Sequence, residues 1–272
     1  MTEGQQWADL ATQIKNWAAE LGFAQTAISA PDLALASERL KRWLADQQHG
    51  SMSWMADHGE MRYRPEQLLP GTLRVISVRI DYLADDNMLA VLKSDNRAYI
   101  SRYALGRDYH KLVRRRLAEL ANRIREALPE QTNLVQRPFV DSAPVMEKPI
   151  AEQAGLGWIG KNTLLINAEA GSWFFLGELF TSLPLPVDSP AQPDQCGNCR
   201  ACLTTCPTDA FTAAYQLDAR RCIAYQTIEN RGAIPSELRP LIGNRVFGCD
   251  DCQIYCPWNR QPAASSEADF QP

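Results

Sequence analysis

The chain has 272 residues, 45% of them hydrophobic and 22% charged, enough for one sizeable core with a smaller module beside it. A net charge of −4 excludes a globally basic nucleic-acid binder but permits a local basic patch. No apolar run approaches the ~20 residues that span a bilayer, and the opening MTEGQQWADL lacks the basic flank and apolar run of a secretory signal, so a cytoplasmic protein is expected.

In chain order, Leu10, Ile14, Trp17, Ala18 and Leu21 recur at helical spacing and predict a helix over 7–21. Residues 74–83 are rich in β-branched side chains, with Ile76, Val78 and Ile80 alternating as in a strand. Over 109–128, Val113, Leu117, Leu120, Ile124 and Leu128 fall on one face of an amphipathic helix. That helix lies in a basic stretch: between Arg97 and Glu126 nine Lys/Arg residues face three acids, a local excess of +6. Such a stretch can be a solvated helix face or a phosphate-binding patch, and Tyr99, Tyr103 and Tyr109 within it could stack on bases or pack inward.

Asp141 ends the apolar, proline-bounded segment RPFVDSAP. It can cap a turn or a helix, or serve as a catalytic acid, for which an apolar pocket would favour the protonated form. Gly155, Gly157 and Gly160 fit the dinucleotide fingerprint G-x-G-x-x-G, but a helix-like stretch precedes them and extended chain follows, the reverse of the order that fingerprint needs. Gly155 is better read as a helix C-cap. Short strands are expected at 164–167 and 173–176, and the proline-rich 182–195 as a linker.

All eight cysteines follow. The first run is Cys196-x2-Cys199-x2-Cys202-x3-Cys206-Pro207; the second is Cys222, a gap, then Cys249-x2-Cys252-x3-Cys256-Pro257. In two-cluster ferredoxins three closely spaced thiolates hold one face of a cubane, and the cysteine before proline reaches the other cluster. Cys196, Cys199, Cys202 and Cys256 are therefore assigned to one [4Fe–4S] cluster, and Cys206, Cys222, Cys249 and Cys252 to a second. Val246 stands where a complete second run would have its first cysteine, a role that Cys222 takes. Zinc commonly pairs C-x2-C knuckles and recruits histidine, and His49, His58 and His110 all lie far from the cysteines in sequence. Disulfides need an oxidising compartment. Two clusters imply electron transfer.

Taken together, the segments HGSMSWMADH, RPEQLLPGTLRVISV, SRYALGRDYHKL, RPFVDSAPVMEKPIAEQAGLGWIGKNTLLIN, GSWFFLGEL and RRCIAYQTIENRGAIPSELRPLIGNRVFGCDDCQIYCPWN resemble the epoxyqueuosine reductases over nearly the whole chain. The resemblance implies an α+β or α/β protein, with a nitroreductase-like corrinoid-binding domain (1–185), a ferredoxin-like two-cluster domain (186–262) and a polar tail (263–272). It implies reduction of epoxyqueuosine to queuosine at the tRNA wobble position. Asp141 is then the proton donor, and Arg64, Tyr103, Ala104, Asp141, Lys161, Asn162 and Ala224 lie at the cobalamin, Ala224 standing where relatives commonly have serine. The cluster containing Cys222 is expected to be the nearer one to the cobalt. No D-x-H-x-x-G loop is present, so base-off cobalamin without a histidine ligand is expected. The expected partners are the tRNA anticodon arm and an external donor of flavodoxin or ferredoxin type; no membrane is expected to be involved, and the chain is expected to be a monomer. The helical-repeat segment that usually follows in this family is not in the sequence, which puts tRNA affinity in question.

Three other readings compete. A dehalogenase-like corrinoid reductase for a small molecule would not need the basic stretch. A ferredoxin-like carrier without catalysis would bind no corrinoid. A zinc-knuckle RNA-binding protein would be colourless.

Overall fold

The computed structural model describes residues 2–84, 88–129, 133–189 and 193–271. In chain order the strands are β1 (Gln25–Ser29), β2 (Arg74–Asp81), β3 (Tyr99–Ile100), β4 (Gln136–Phe139), β5 (Trp158–Ile159), β6 (Leu165–Ile166), β7 (Phe174–Thr181), β8 (Phe211–Ala213), β9 (Gln216–Leu217) and β10 (Arg245–Phe247). β1, β2, β7 and β4 form one antiparallel sheet in that spatial order. Because successive strand residues face opposite sides, β2 sends Ile76, Val78 and Ile80 into the main core and Val75 into a second apolar cluster.

The helices Glu3–Glu20 and Tyr109–Glu126 cover the first face, burying Leu10 and Ile14 from one and Val113, Leu117, Leu120 and Ile124 from the other. Gly177 on β7 is required there: a Cβ would stand 2.8 Å from Val113 and 2.9 Å from Leu117. The helix Glu147–Ala154 covers the second face with Ile150, Ala151 and Ala154. It ends on Gly155 in the left-handed conformation, φ +93°, the C-cap expected from the sequence. The expected helices and strands are all present, although β7 runs five residues beyond the predicted 173–176 segment.

Composition misjudged two connections. The described part of the 182–195 linker is a strap: Leu183 and Leu185 are buried in the main core. Its Asp188 accepts from Lys15 Nζ at 2.5 Å and from the Ile28 amide at 2.8 Å; residues 190–192 lie outside the described residues. The segment 263–271, read as a polar tail, is docked, with Phe270 buried in the same core edge-on to Phe175 at 5.2 Å. Arg107 N donates to Asp269 O at 2.7 Å, and Glu267 pairs with Arg116. One phenylalanine in a polar stretch anchors it; Pro272 lies outside the described residues.

The cysteine-bearing half is built from short turns, including the helices Ala201–Thr204 and Asp251–Ile254 and a π-helix Tyr225–Glu229. It interlocks with the sheet domain. β10 pairs in parallel with β3, and the buried carboxylate of Asp250 accepts from Tyr99 OH (2.8 Å), Ser101 Oγ (2.5 Å) and Arg102 N (2.8 Å). Burial raises the Asp250 pKa, and these three donors oppose that shift. The loop carrying HGSM meets the segment carrying CIAYQTIEN, where Ser51 N donates to Tyr225 OH at 2.8 Å.

Candidate active site and cluster centres

The first centre is a cavity of about 210 Å³ bordered by Cys196, Cys199, Cys202 and Cys256 together with Lys161 and Asn162. Its lining draws the cysteine before Pro257 in with the three cysteines of the other run. In the second group burial acts most on Cys252, followed by Cys222, Asp250 and Cys206 and then by Cys202 of the first group, and Cys252 in turn acts on Cys249 after burial and Asp251. Burial pushes the thiol of Cys202 up to about 11 and that of Cys252 well above its usual value. Neutral thiols packed this way become good ligands when a cationic iron centre takes their protons' place. Among the described residues no three His, Cys, Asp or Glu side chains converge on a single-ion site; the thiols of the first group border a void instead. The donor set suits a cubane on each quartet.

Lys161 and Asn162, expected at a corrinoid, have other partners. Lys161 Nζ donates to Gly197 O (2.5 Å) and Cys199 O (2.9 Å), and Asn162 Nδ2 donates to Cys252 O (3.2 Å). They clamp both cysteine loops to the sheet domain. Arg64 precedes the Pro65–Leu68 turn and pairs with Glu60 at 3.1 Å. Tyr103 and Ala104 lie on the turn Arg102–Ala104, the Tyr103 ring 6.4 Å from Phe247. Ala224 caps the π-helix, and its amide, with that of Tyr225, faces the Cys222 sulfur.

Asp141 follows β4 and adopts φ +52°, a left-handed conformation costing a residue with a Cβ about 1–2 kcal/mol but tolerated best by Asp and Asn. Its carboxyl is 59% exposed, so the protein alone does not supply the apolar burial that an acid here was expected to have. Oδ2 lies 3.0 Å from His110 Nε2, and His110 Nδ1 lies 2.9 Å from Asp108 Oδ1. Asp108 also caps the helix, accepting from the His110 amide at 3.0 Å; its bond to the His110 ring holds its carboxyl below the usual range. The His110 ring stacks on Tyr109 at 4.0 Å, and Tyr109 stacks on Phe175 at 3.8 Å with planes 4° apart. His110 is the candidate site residue that sequence reading did not single out. The signal was an Asp-Tyr-His at a helix start within SRYALGRDYHKL.

Asp141 is also tied to the helix that follows it. Its amide donates to Glu147 Oε1 at 2.9 Å. Lys148 beside Glu147 donates to Thr163 O at 2.8 Å and feels Cys252. Burial lowers the pKa of Lys148 and raises that of Glu147 to about 8. Tyr103 is pushed up to about 12, first by burial and then by Asp141 and Glu229. The rings of Tyr103 and Tyr109 near Asp141, and Ala224, which has no side chain beyond Cβ, are side chains of the kind that can pack on the flat face of a corrinoid.

The basic stretch does not form one patch. Arg102 is buried, Arg107 pairs with Asp269, Arg116 with Glu267, and Arg123 with Glu20 and Glu119. Arg114 reaches Ser142 Oγ at 3.5 Å, beside Asp141.

A sheet domain with an acid-bearing turn, locked to a half that carries eight free cysteines, defines the class of reductases with a ferredoxin-like two-cluster module. A family model for a 4Fe-4S double cluster binding domain matches residues 195–259. A catabolic reductive dehalogenase shares the fold alone, with TM-score 0.56 and 18% identity over 94% of this chain and 33% of its own. Within the class, the chain belongs to the epoxyqueuosine reductase family. The model described as epoxyqueuosine reductase QueG, DUF1730 matches residues 62–142. The epoxyqueuosine reductase of Pseudomonas aeruginosa is 61% identical over 266 residues, which is 97% of this chain and 73% of the relative. A crystal structure of epoxyqueuosine reductase with an epoxyqueuosine-modified tRNA-Tyr stem loop superposes with TM-score 0.87 and 29% identity, over 97% of this chain and 69% of that one. The Bacillus subtilis enzyme, solved with its aspartate-bearing catalytic loop swung out of the active site, gives 0.84 and 27% over the same shares.

Proposed function

We propose that this chain reduces epoxyqueuosine to queuosine in the anticodon loop of tRNA, with two [4Fe–4S] clusters and cobalamin as cofactors. The reaction takes two electrons and two protons and releases the epoxide oxygen as water. The observation that carries the reading is the Asp141 carboxyl, facing His110 and tied through its amide to the Glu147–Ala154 helix, in a domain locked to the cysteine-bearing half through Lys161, Asn162 and Asp250. The thiols of Cys196, Cys199, Cys202 and Cys256 would hold one cluster, and those of Cys206, Cys222, Cys249 and Cys252 the other. Tyr103, Ala104 and Ala224 would border the corrinoid, whose low-valent cobalt, when bound, supplies the electron pair that breaks the carbon–oxygen bond.

The protein's own residues handle the proton. His110 faces Asp108 through Nδ1 and Asp141 through Nε2, a path by which a proton can reach the Asp141 carboxyl. Asp141 so placed is the acid for the departing oxygen, which leaves poorly as an unprotonated alkoxide. Both His110 ring nitrogens face carboxylates and are not free for a metal, in keeping with a corrinoid that takes no ligand from this histidine. The exposed Cys199 beside the first cavity favours electron entry there from an external flavodoxin- or ferredoxin-type carrier. Among the described residues no helix is long and apolar enough to cross a membrane, and a cytoplasmic monomer is the working form.

Asp141→Asn tests the assignment, because it keeps the size of the side chain but cannot deliver the proton. With reconstituted enzyme and an epoxyqueuosine-bearing stem loop, turnover should fall by about a hundredfold or more, with cofactor content and RNA binding retained. Near-normal turnover would return Asp141 to a structural role in its turn.

A further inference from the structure

Asp141 sits at φ +52°, a conformation that costs a residue with a Cβ about 1–2 kcal/mol. It is the central residue of a tight turn closed by Ser142 N on Val140 O at 2.6 Å, and a second turn follows, closed by Val145 N on Ala143 O at 2.8 Å. Its carboxyl is open to solvent, and its His110 contact fixes one oxygen only. The bond that ties this turn to a neighbouring element runs from the Asp141 amide to Glu147 Oε1 at 2.9 Å. Glu147 opens a helix that is pinned to the sheet by Ile150, Ala151 and Ala154, all buried. A side chain on a rigid element therefore grips the one amide whose orientation sets where the acid points. We propose that Glu147 is a positioning residue that latches the Asp141 turn against His110, an inference that rests on Asp141 being the acid.

The surroundings of Glu147 give the latch a pH sense. It faces Asp141 on the turn, Lys148 on its own helix and Tyr109 on the helix opposite. Beneath it on β7 stands Glu178, fully buried, bonded to Ser77 Oγ through one oxygen and without a partner for the other. Apart from Lys148, the charged or ionisable groups around Glu147 are acidic. Burial raises its pKa to about 8; the bond from the Asp141 amide opposes that rise, and the Asp141 carboxylate adds to it by less. A carboxylate is a stronger acceptor for an amide than a neutral acid is. Closing the turn therefore favours ionised Glu147, a contribution gained as pH rises through about 8, so the turn should tighten above that pH.

Glu147→Ala removes the acceptor, whereas Glu147→Gln keeps an amide oxygen at the same place and cannot ionise. In the holoenzyme, amide exchange at 140–146, corrected for intrinsic rate, should quicken by about tenfold or more in the alanine variant and stay near wild type in the glutamine variant. With the epoxyqueuosine stem loop, the alanine variant should lose about ten- to a hundredfold in kcat, as a small misplacement of a reacting group does, with KM within twofold; glutamine should restore most of it. Between pH 7 and 9 wild-type protection should rise and that of Glu147→Gln stay level. Unchanged exchange in the alanine variant, a glutamine variant as damaged as alanine, or parallel pH profiles would overturn the latch. If the alanine variant fails to assemble its clusters, the glutamine pH profile decides alone. Full turnover in Asp141→Asn would instead overturn the acid assignment, while the exchange data would still judge the latch.

Discussion

Phe270→Ala tests whether the docked 263–271 segment is part of the catalytic domain's architecture. The ring is 4% exposed and packs edge-on to Phe175, which backs Tyr109 and through it His110. Removing a buried phenylalanine costs about 3–5 kcal/mol when the cavity stays open. At roughly 2–4 °C per kcal/mol for a chain of this size, Tm should drop by about 6–20 °C. The segment has an alternative to leaving a cavity, because it can peel away. The stability loss then stops at its docking free energy, which also includes the Arg116–Glu267 pair and the amide bond from Arg107. Native-state amide exchange separates the two outcomes: peeling strips protection from Arg107, whose amide bonds Asp269 O, while a retained cavity leaves it protected. Either outcome lowers Tm. An unchanged Tm together with an unchanged Arg107 amide would refute the docking, and with it the claim that this segment braces the Tyr109–His110 stack.

Other consequences follow from the same geometry. Cys256→Ala should abolish the same electron paramagnetic resonance signal as Cys199→Ala, and Cys206→Ala the signal that Cys252→Ala abolishes; a shared loss for Cys199 and Cys206 would break the crossed assignment. Arg114→Gln should lower the salt dependence of stem-loop binding by about 0.7 for each phosphate that is no longer neutralised, whereas Arg116→Gln should act mainly on stability through Glu267; equal effects on RNA binding would refute that division. Gly177→Ala should destabilise the sheet domain by about 1–3 kcal/mol through overpacking against Val113 and Leu117, read from the denaturation midpoint, and a neutral result would mean that the Tyr109–Glu126 helix can shift.

What the sequence made legible was whatever depends on short-range spacing. The 3.6-residue pattern marked both long helices, alternation marked β2, and Gly155 marked the end of the Glu147–Ala154 helix. The cysteine spacing proposed two quartets, and Cys256 does line the cavity with Cys196, Cys199 and Cys202. What stayed hidden depends on partners far apart in the chain. Net charge counted Arg102, Arg107, Arg116 and Arg123 as one patch, but their partners include residues as distant as Glu20 and Glu267, which no local window weighs. Composition called 263–272 a tail because one buried Phe270 is statistically small, although it is energetically large. Lys161 and Asn162 stood in a motif that suggested a cofactor, yet their side chains grip the cysteine loops 36 and 90 residues away.

His110 is the most instructive miss. Taken alone, a histidine near a helix start reads as surface. It becomes chemical once the fold brings Asp141, 31 residues later, to within 3.0 Å. The same fold places Glu147 under the Asp141 amide and lets Lys148 feel the thiol of Cys252. On the proposed reading the acid's turn is thus held by one short helix, itself fixed by apolar contacts to the sheet. A change in that packing, for instance at Ile150, should disturb proton delivery while both clusters still assemble, whereas a change at Cys199 should remove the first cluster and leave the Asp141 turn as it is.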